Sequence, residues 1–170
     1  MQSTVGDPRG RPSLTTVAGD LLHAGLHPVG RLDAETDGLL LFARDGAVTQ
    51  HLLHPKRGIP RVYVATVSPP PESALLTARL AAGVATSEGT FVAELRGCDG
   101  DRVTLAVTEG RHRMVRRMLA NAGHPVTALR RIAFGAFELG DLPPGAWREP
   151  TNAECRWLEK SMGAAPARRT

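Results

Sequence analysis

Three carboxylates alternate with other side chains in residues 30–38, whose sequence is GRLDAETDG. They belong to Asp33, Glu35 and Asp37 and follow a stretch that we predict to be a strand. On an extended strand, the side chains of residues i and i+2 lie on the same face, about 6.5 to 7 Å apart. Two carboxylates at that distance would suit a glycosidase that inverts its substrate. Asp, Glu, Thr and Gly also collect in ordinary polar turns, so an acidic turn without chemistry is the alternative.

Residues 109–118 form a second block, in which arginine is concentrated. The block reads EGRHRMVRRM, and positions 109 to 131 hold six arginines, two histidines and a single acid. On a helix with 3.6 residues per turn, the methionines and the valine of the block share one side. Arg113 and Arg117 then point to solvent or to a phosphate backbone, whereas Arg116 lies near the border and could lean over a cleft. Either a nucleic-acid-binding helix or an ordinary solvated basic face fits this pattern.

Tyr63 is the only tyrosine of the chain. It follows Arg61 within residues 61–67, which we predict to form a buried or half-buried strand. A tyrosine offers a flat ring for stacking and a hydroxyl group, which suits contact with a nucleotide base extruded from its helix. The alternative is a tyrosine that only packs in the core or against a neighbouring strand.

These candidate residues need helices and strands to position them, and hydrophobic periodicity together with capping and turn signals predicts both. We predict helices at residues 14–24, 47–53, 72–82 and 113–122. Strands are expected at residues 29–33, 39–43, 61–67, 90–96, 102–108 and 126–134, with polar turns at 34–38 and 97–100. Strands joined by hairpin-like turns, with helices between them, favour an α+β fold with a mixed, mainly antiparallel sheet.

The length of 170 residues suits one compact unit with a sizeable core. We expect a single domain over residues 1–160, in which the turn-rich residues 1–12 form an N-terminal arm. A small C-terminal element is expected to end near Lys160. Residues 161–170 are expected to be a frayed, disordered tail.

The composition, with 42% hydrophobic and 22% charged residues, excludes the disordered, collagen-like and disulfide-rich classes. The longest apolar run, residues 39–43, is far shorter than the roughly 20 residues of a membrane span. Residues 1–10 contain no apolar signal segment. Cys98 and Cys155 are isolated, which predicts two reduced thiols, no zinc site and no redox motif. We therefore expect a cytoplasmic protein without a membrane partner.

The net charge of the chain is positive, since it contains 21 basic and 17 acidic residues. Lys56 and Lys160 are the only lysines, so the excess is almost entirely arginine. The guanidinium group binds phosphates bidentately and stacks on bases, and this bias therefore suits a nucleic-acid partner. A GC-rich coding sequence produces the same bias without a functional reason.

Taken in order along nearly the whole chain, these blocks resemble the motifs of bacterial pseudouridine synthases of the RsuA/RluB type, which act on uridines in ribosomal RNA. The matching segments are DPRGRP at 7–12, PVGRLD at 28–33, DGLLL at 37–41, RVYV at 61–64, EGR at 109–111, VRRM at 115–118, GHPV at 123–126 and LPPGAWR at 142–148. An isolated GRLD would mean little, whereas the ordered series is specific. The resemblance implies a mixed, mainly antiparallel sheet flanked by helices, with a central RNA-binding cleft.

The same resemblance implies that the protein isomerises uridine to pseudouridine at specific sites in ribosomal RNA. Asp33 takes the place of the catalytic aspartate, Tyr63 that of the residue stacking on the target base, and Arg116 that of the basic partner of Asp33. Phosphates would be contacted by Arg31, Arg61, Arg111, Arg113 and Arg117. The reaction consumes no external group and changes no redox state, so no cofactor and no metal are implied. Attack on C1′, attack on the base and removal of a sugar proton stay open as routes.

The implied partner is ribosomal RNA, free or within a pre-ribosomal particle, and we expect a monomer. The sequence departs from the family pattern at Met114, where a glutamine is usual, and at Arg61, where lysine is commoner. The second change keeps the charge but not the shape of the side chain. Members of the family usually begin with a small RNA-binding domain of the S4 type, which a Lys-Pro-x-Gly segment joins to the catalytic domain. Neither the S4 domain nor this segment is found here. We therefore expect a catalytic domain alone.

Two further classes of function fit parts of the sequence. A non-catalytic RNA-binding module would use the helix of residues 111–117 for affinity and leave Asp33 as a turn residue, and its binding would weaken steeply with salt. A glycosidase-like hydrolase would use two of the three acids at positions 33, 35 and 37.

Overall fold

The computed structural model describes residues 14–163. The predicted N-terminal arm, residues 1–12, and residues 164–170 of the predicted tail lie outside the described residues. The helices of the described part are α1 (Leu14–His23), α2 (Gly46–Leu53), α3 (Ser73–Ala82), α4 (Met114–Asn121) and α5 (Asn152–Gly163). The strands are β1 (His27–Pro28), β2 (Thr36–Gly38), β3 (Phe42–Ala43), β4 (Arg61–Val67), β5 (Val84–Thr86), β6 (Gly89–Phe91), β7 (Glu94–Asp99), β8 (Arg102–Val107), β9 (Val126–Phe134) and β10 (Phe137–Glu138).

A six-stranded sheet organises the described chain. Five of its strands are antiparallel in the order β10, β9, β4, β8 and β7, and β2 pairs in parallel with β9. Two short antiparallel pairs, β1 with β3 and β5 with β6, lie outside this sheet. The mixed, mainly antiparallel sheet with interspersed helices confirms the predicted α+β class.

Strand β4 lies in the middle of the sheet, between β8 and β9. Its sequence, RVYVATV, is rich in β-branched residues, which pack well on a pleated and buried surface. The register places Tyr63 opposite Leu105 of β8 and opposite Arg131 of β9. The predicted bounds of β4 and of β9 agree with the structure.

Two hydrophobic cores support the sheet. The first joins α3 and α4 to β4, β8 and β9 and includes Leu76, Leu80, Leu105, Met118 and Leu119. The second joins α2 and α5 to the end of β9 and includes Val29, Leu52, Phe134 and the half-buried Trp157. Residues of both cores line one cleft, among them Val107, Met114, Val29 and Phe134. Within residues 14–163, each helix is too short or too polar to cross a membrane.

The predicted strand at residues 29–33 is wrong, because this segment is a loop. Gly30 has a φ of +79°, a left-handed conformation that breaks an extended strand. The turn predicted at 34–38 contains β2 instead, and its Gly38 pairs with Arg131 of β9. Gly38 has a φ of +101°, and a Cβ atom there would collide with the backbone carbonyl of Arg131. This glycine therefore permits the close parallel pairing that holds the preceding loop in place.

The hairpin of β5 and β6 was missed by the sequence analysis. The predicted strand at 90–96 is divided between β6 and β7, because the chain leaves the two-stranded pair after Phe91 and joins the main sheet at Glu94. Residues 39–43 likewise form a strand only at their end, in β3. Pieces this short carry too few alternating residues to reveal themselves by periodicity.

Helix α5 begins with a capping box. The backbone N–H of Glu154 donates to the Thr151 hydroxyl (3.2 Å), and the N–H of Thr151 donates to the Glu154 carboxylate (2.6 Å), so two free helix-end donors are satisfied. Arg148 donates two further bonds to this carboxylate, at 2.7 and 2.8 Å. The bonds from Arg148 are the largest cause that lowers the pKa of the buried Glu154 to about 2. The helix runs to Gly163, past the predicted end near Lys160.

Candidate active site

A cleft of about 570 Å³ opens over one end of the sheet. Its walls are the loop before β2, the inward-facing side of β4 and β9, and the segment from the end of β8 to the start of α4. Six of the eight site residues predicted from the sequence line it, namely Asp33, Tyr63, Arg31, Arg61, Arg111 and Arg113. Arg116 and Arg117 are not among the lining residues. The fold thus brings together residues that are up to 82 positions apart in the chain.

Asp33 enters the cleft from the loop that separates β1 from β2. The backbone N–H of Thr36 donates to the carbonyl of Asp33 (2.8 Å), which closes a turn immediately before β2. Asp33 is half-buried, and no hydrogen bond or ion pair joins its carboxylate to another side chain of residues 14–163. Because Asp33 lines the cleft, a molecule that enters the cleft meets this residue.

Arg116 holds the loop of Asp33 through the backbone. Its guanidinium is buried and donates to the carbonyl of Glu35 (2.5 Å) and to the carbonyl of Val126 (3.1 Å). Its Nε lies 3.9 Å from the Glu35 carboxylate. The described structure contains no Arg116–Asp33 ion pair. Instead of the contact expected from the resemblance, Arg116 contacts Glu35, two residues after Asp33. In this state Arg116 is a positioning residue, and its role as a direct partner of Asp33 stays a prediction.

Arg113 carries the second contact between α4 and this loop. Its Nη2 lies 2.7 Å from the Glu35 carboxylate, and it adopts a φ of +52°, which is uncommon for a residue with a side chain. The hydrogen bond and the charge of Arg113 lower the pKa of Glu35, and the charge of Arg116 adds to this. The carboxylate of Glu35 thus fastens the Asp33 loop to the start of α4.

Arg111 and Arg117 contact the hairpin of β5 and β6. The guanidinium of Arg117 forms an ion pair with Glu88 at the tip of that hairpin. The guanidinium of Arg111 lies 5.7 Å from the centre of the Phe91 ring and is 58% exposed. Both arginines have an acidic neighbour, but the contact of Arg111 with Glu109 is long, at 3.7 Å, and its side chain is the more exposed of the two. Arg111 therefore remains open to a phosphate at the rim of the cleft.

The inner wall of the cleft contains two buried arginines, Arg61 and Arg131. Their guanidinium carbons lie 4.6 and 5.4 Å from the centre of the Phe134 ring. Arg61, expected to contact phosphate, donates to backbone carbonyls, of which that of Thr108 is nearest at 3.1 Å. Arg131 was not singled out by the sequence analysis. The signal was present in β9, where Arg131 is in phase with the buried Leu129 and its neighbour Arg130 is exposed.

The three alternating acids do not gather in the cleft. Strand β2 begins only at Thr36, so Asp33 and Glu35 do not lie on one strand face. Asp37 is 75% exposed and lies 3.9 Å from the Nε of Arg130. A second carboxylate in the cleft is that of Glu109, 3.7 Å from the Nε of Arg111. Of the three acids in the glycosidase hypothesis, only Asp33 lines the cleft. This arrangement does not support a catalytic pair among those three acids.

The residues that commonly bind metals or react as thiols lie apart from one another in the described part. No three side chains of His, Cys, Asp or Glu within residues 14–163 gather in a group that could hold a metal ion. Cys98 and Cys155 are half-buried free thiols, and neither lines the cleft.

Comparison with known proteins agrees with this geometry. Residues 11–121 match the family of RNA pseudouridylate synthases. A Mycobacterium tuberculosis protein named as an RNA pseudouridine synthase is 38% identical over 96% of this chain. The ribosomal large subunit pseudouridine synthase B of Bacillus subtilis is 36% identical over 92% of this chain. The chain spans 66% of the length of each of these two relatives, slightly under two thirds.

A solved structure shows the same fold. The crystal structure of a pseudouridylate synthase superimposes with a TM-score of 0.78 and 32% sequence identity, covering 86% of this chain and 65% of the solved one. The family match spans the loop of Asp33, the strand of Tyr63 and the helix of Arg116. The chain described here belongs to the RNA pseudouridylate synthase family.

Proposed function

We propose that the protein isomerises uridine to pseudouridine in ribosomal RNA, with Asp33 as the catalytic carboxylate. The observation that carries this proposal is the cleft, in which Asp33 and Tyr63 lie together beneath a rim of arginines. Membership of the family supports the reaction, and the name of the Bacillus subtilis relative supports ribosomal RNA as the substrate.

The reaction needs little more than a carboxylate and a shaped pocket. The bond between N1 of the base and C1′ of the ribose breaks, C1′ bonds to C5, and the proton from C5 ends on N1. No electron is gained or lost, so the balance requires neither a cofactor nor a metal. An ionised Asp33 can act as a nucleophile or as a base, and the chemical route stays open.

Tyr63 and the size of the cleft suit a single extruded nucleotide. Enzymes that act on a base flip it out of its stack at a cost of about a few kcal/mol. The cleft volume of about 570 Å³ lies within the usual range of sites for small ligands. Tyr63 faces this space from β4 and offers a ring against which the base can stack.

The arginines at the rim supply affinity for the RNA backbone. Arg31, Arg111 and Arg113 line the cleft and retain exposed or half-exposed side chains. Contacts from such side chains to phosphates orient the nucleic acid without reading its sequence. The partner is ribosomal RNA, free or in a pre-ribosomal particle in the cytoplasm, and the protein acts as a monomer.

The test is a map of pseudouridines in ribosomal RNA from cells with and without the gene. One uridine, or a small set, should be unmodified only in cells that lack the gene, and the wild-type gene should restore the modification. Identical maps from the two strains would contradict the proposal. RNA binding without a change in any uridine would instead favour the non-catalytic module.

A further inference from the structure

Arg131 lies directly across the strand from Tyr63. In the antiparallel pairing of β4 and β9 these two residues are register partners, and both line the cleft. Side chains of directly opposed residues lie on one face of a sheet, with Cβ atoms about 5 Å apart. A base stacked on Tyr63 is therefore within reach of the Arg131 guanidinium.

One end of this guanidinium is bonded and the other is free. Its Nε donates to the carbonyl of Leu39 (2.8 Å), which fixes the side chain against the segment that follows β2. Its Nη2 is buried and has no hydrogen-bond partner among residues 14–163, although the residue is only 3% exposed. Buried donors are almost always paired, and one that is not calls for an explanation, of which a bound ligand is one.

In the described part of the chain, no acid forms an ion pair with the two arginines at this wall of the cleft. Arg61, beside it on the Phe134 ring, donates to carbonyl groups rather than to a carboxylate. Within residues 14–163, neither Arg61 nor Arg131 takes part in an ion pair. Burial lowers the pKa of Arg61; Tyr63 opposes this effect, and the charge of Arg131 adds to it. Buried charges are normally paired, so this wall is suited to an anion brought by the substrate.

The reaction creates such an anion on the base. When the bond between N1 and C1′ breaks, its electron pair stays on the uracil ring and spreads to O2 and O4. If Asp33 first attacks C6, the electron pair of the C5–C6 double bond moves toward O4. Both routes place negative charge on an oxygen of the base, and a donor fixed in advance at that oxygen stabilises the transition state.

We propose that Arg131 is a catalytic residue whose Nη2 hydrogen-bonds an oxygen of the flipped uracil and stabilises the negative charge that develops there. This role rests on the proposed function. In this role the Nη2 of Arg131 has a hydrogen-bond partner only when substrate is bound. The role is the same whichever chemical route the reaction takes.

The test compares Arg131→Gln and Arg131→Lys with Arg130→Gln, the exposed neighbour on the same strand. Each protein is mixed in excess with ribosomal RNA transcripts that contain either uridine or 5-fluorouridine, and loss of the nucleoside is followed in a single turnover. Fluorine withdraws electrons and stabilises a base anion without help from the protein. Thermal unfolding of each variant is measured alongside.

We expect R131Q to react about 100-fold more slowly than wild type with uridine, while RNA binding changes less than about twofold. With 5-fluorouridine the deficit should shrink to about 10-fold or less, and R131K should recover part of the rate because it keeps the charge. R130Q should match wild type on both substrates.

Three outcomes overturn the inference. The first is that R131Q reacts as fast as R130Q. The second is that R131Q loses the same factor on both substrates, which a purely structural role predicts. The third applies if R131Q does not fold. The inference is then overturned if R131K is slower than wild type by the same factor on both substrates. Failure of the proposed function is distinguishable, because the wild-type protein would then leave uridine unchanged.

Discussion

The arginines of α4 look alike in the sequence, yet the structure gives each a different partner. Arg116 is buried and bonded to the backbone carbonyls of Glu35 and Val126. Arg113 is bonded to a carboxylate at the surface, where a phosphate can replace it. The consequences of removing the two side chains should therefore differ in kind.

Arg116→Ala should lower kcat by about 100-fold, because a displacement of about 1 Å at the reacting groups can cost that much. The affinity for RNA should change little, since the guanidinium is not exposed to phosphates. Arg113→Ala should instead weaken RNA binding and lower kcat much less, because the bond from Arg116 to the Glu35 carbonyl still holds the Asp33 loop. Measured kcat values and dissociation constants would separate the two, and equal effects on both quantities would contradict these assignments.

At the scale of single elements, Gly38 is the residue that the parallel pairing of β2 depends on. Gly38→Ala should destabilise the protein by about 3 kcal/mol or more, since it adds a Cβ where φ is positive and the backbone of β9 is in contact. Gly46→Ala, at the start of α2, is the matched control because open space surrounds that position. Urea unfolding of both variants tests this, and equal stabilities would show that the close approach is not required.

The capping box of α5 predicts a pH dependence of stability. The pKa of Glu154 is lowered in the folded state to about 2, so its contribution is present above the ordinary pKa of about 4.3 and disappears as pH falls toward 2. The shift corresponds to about 3 kcal/mol at neutral pH. In Glu154→Gln the stability lost between pH 5 and pH 2 should be smaller by about that amount. Parallel curves for the variant and wild type would contradict this.

Elements with a long, regular pattern were predicted from the sequence, and short elements were not. The bounds of β4 and β9 agree with the structure because these strands are seven and nine residues long and rich in apolar and β-branched residues. The sequence predicts a strand at the loop of Asp33 because apolar residues precede it and because periodicity does not show that Gly30 is left-handed. Arg131 was overlooked because burial of a charged side chain depends on contacts between distant segments.

For the whole molecule, the positive charge at the cleft rim should make RNA binding sensitive to salt. Three phosphate contacts, one for each of Arg31, Arg111 and Arg113, predict a slope of about −2 for the logarithm of affinity against the logarithm of salt concentration. Arg111→Ala should remove about one phosphate contact and therefore reduce the magnitude of that slope. Titrations at several salt concentrations test this, and an unchanged slope would remove Arg111 from the interface.

The sequence predicted the family and most of the cleft, since six of the eight named residues line it. It did not predict how the cleft is held together, because the contacts of Arg116 and Glu35 depend on how α4 approaches β2. The resemblance implied a direct ion pair between Arg116 and Asp33. In the structure, Arg116 donates instead to the backbone carbonyl of Glu35, in the loop that carries Asp33.

The most direct test of the central claim is the single-turnover reaction of purified Asp33→Asn with ribosomal RNA, beside wild type and Asp37→Asn. Asn keeps the size of the side chain and removes the charge that the chemistry requires. We predict that D33N forms no pseudouridine while binding RNA and unfolding as wild type does, and that D37N remains active. Pseudouridine formation by D33N at the wild-type rate would contradict the account.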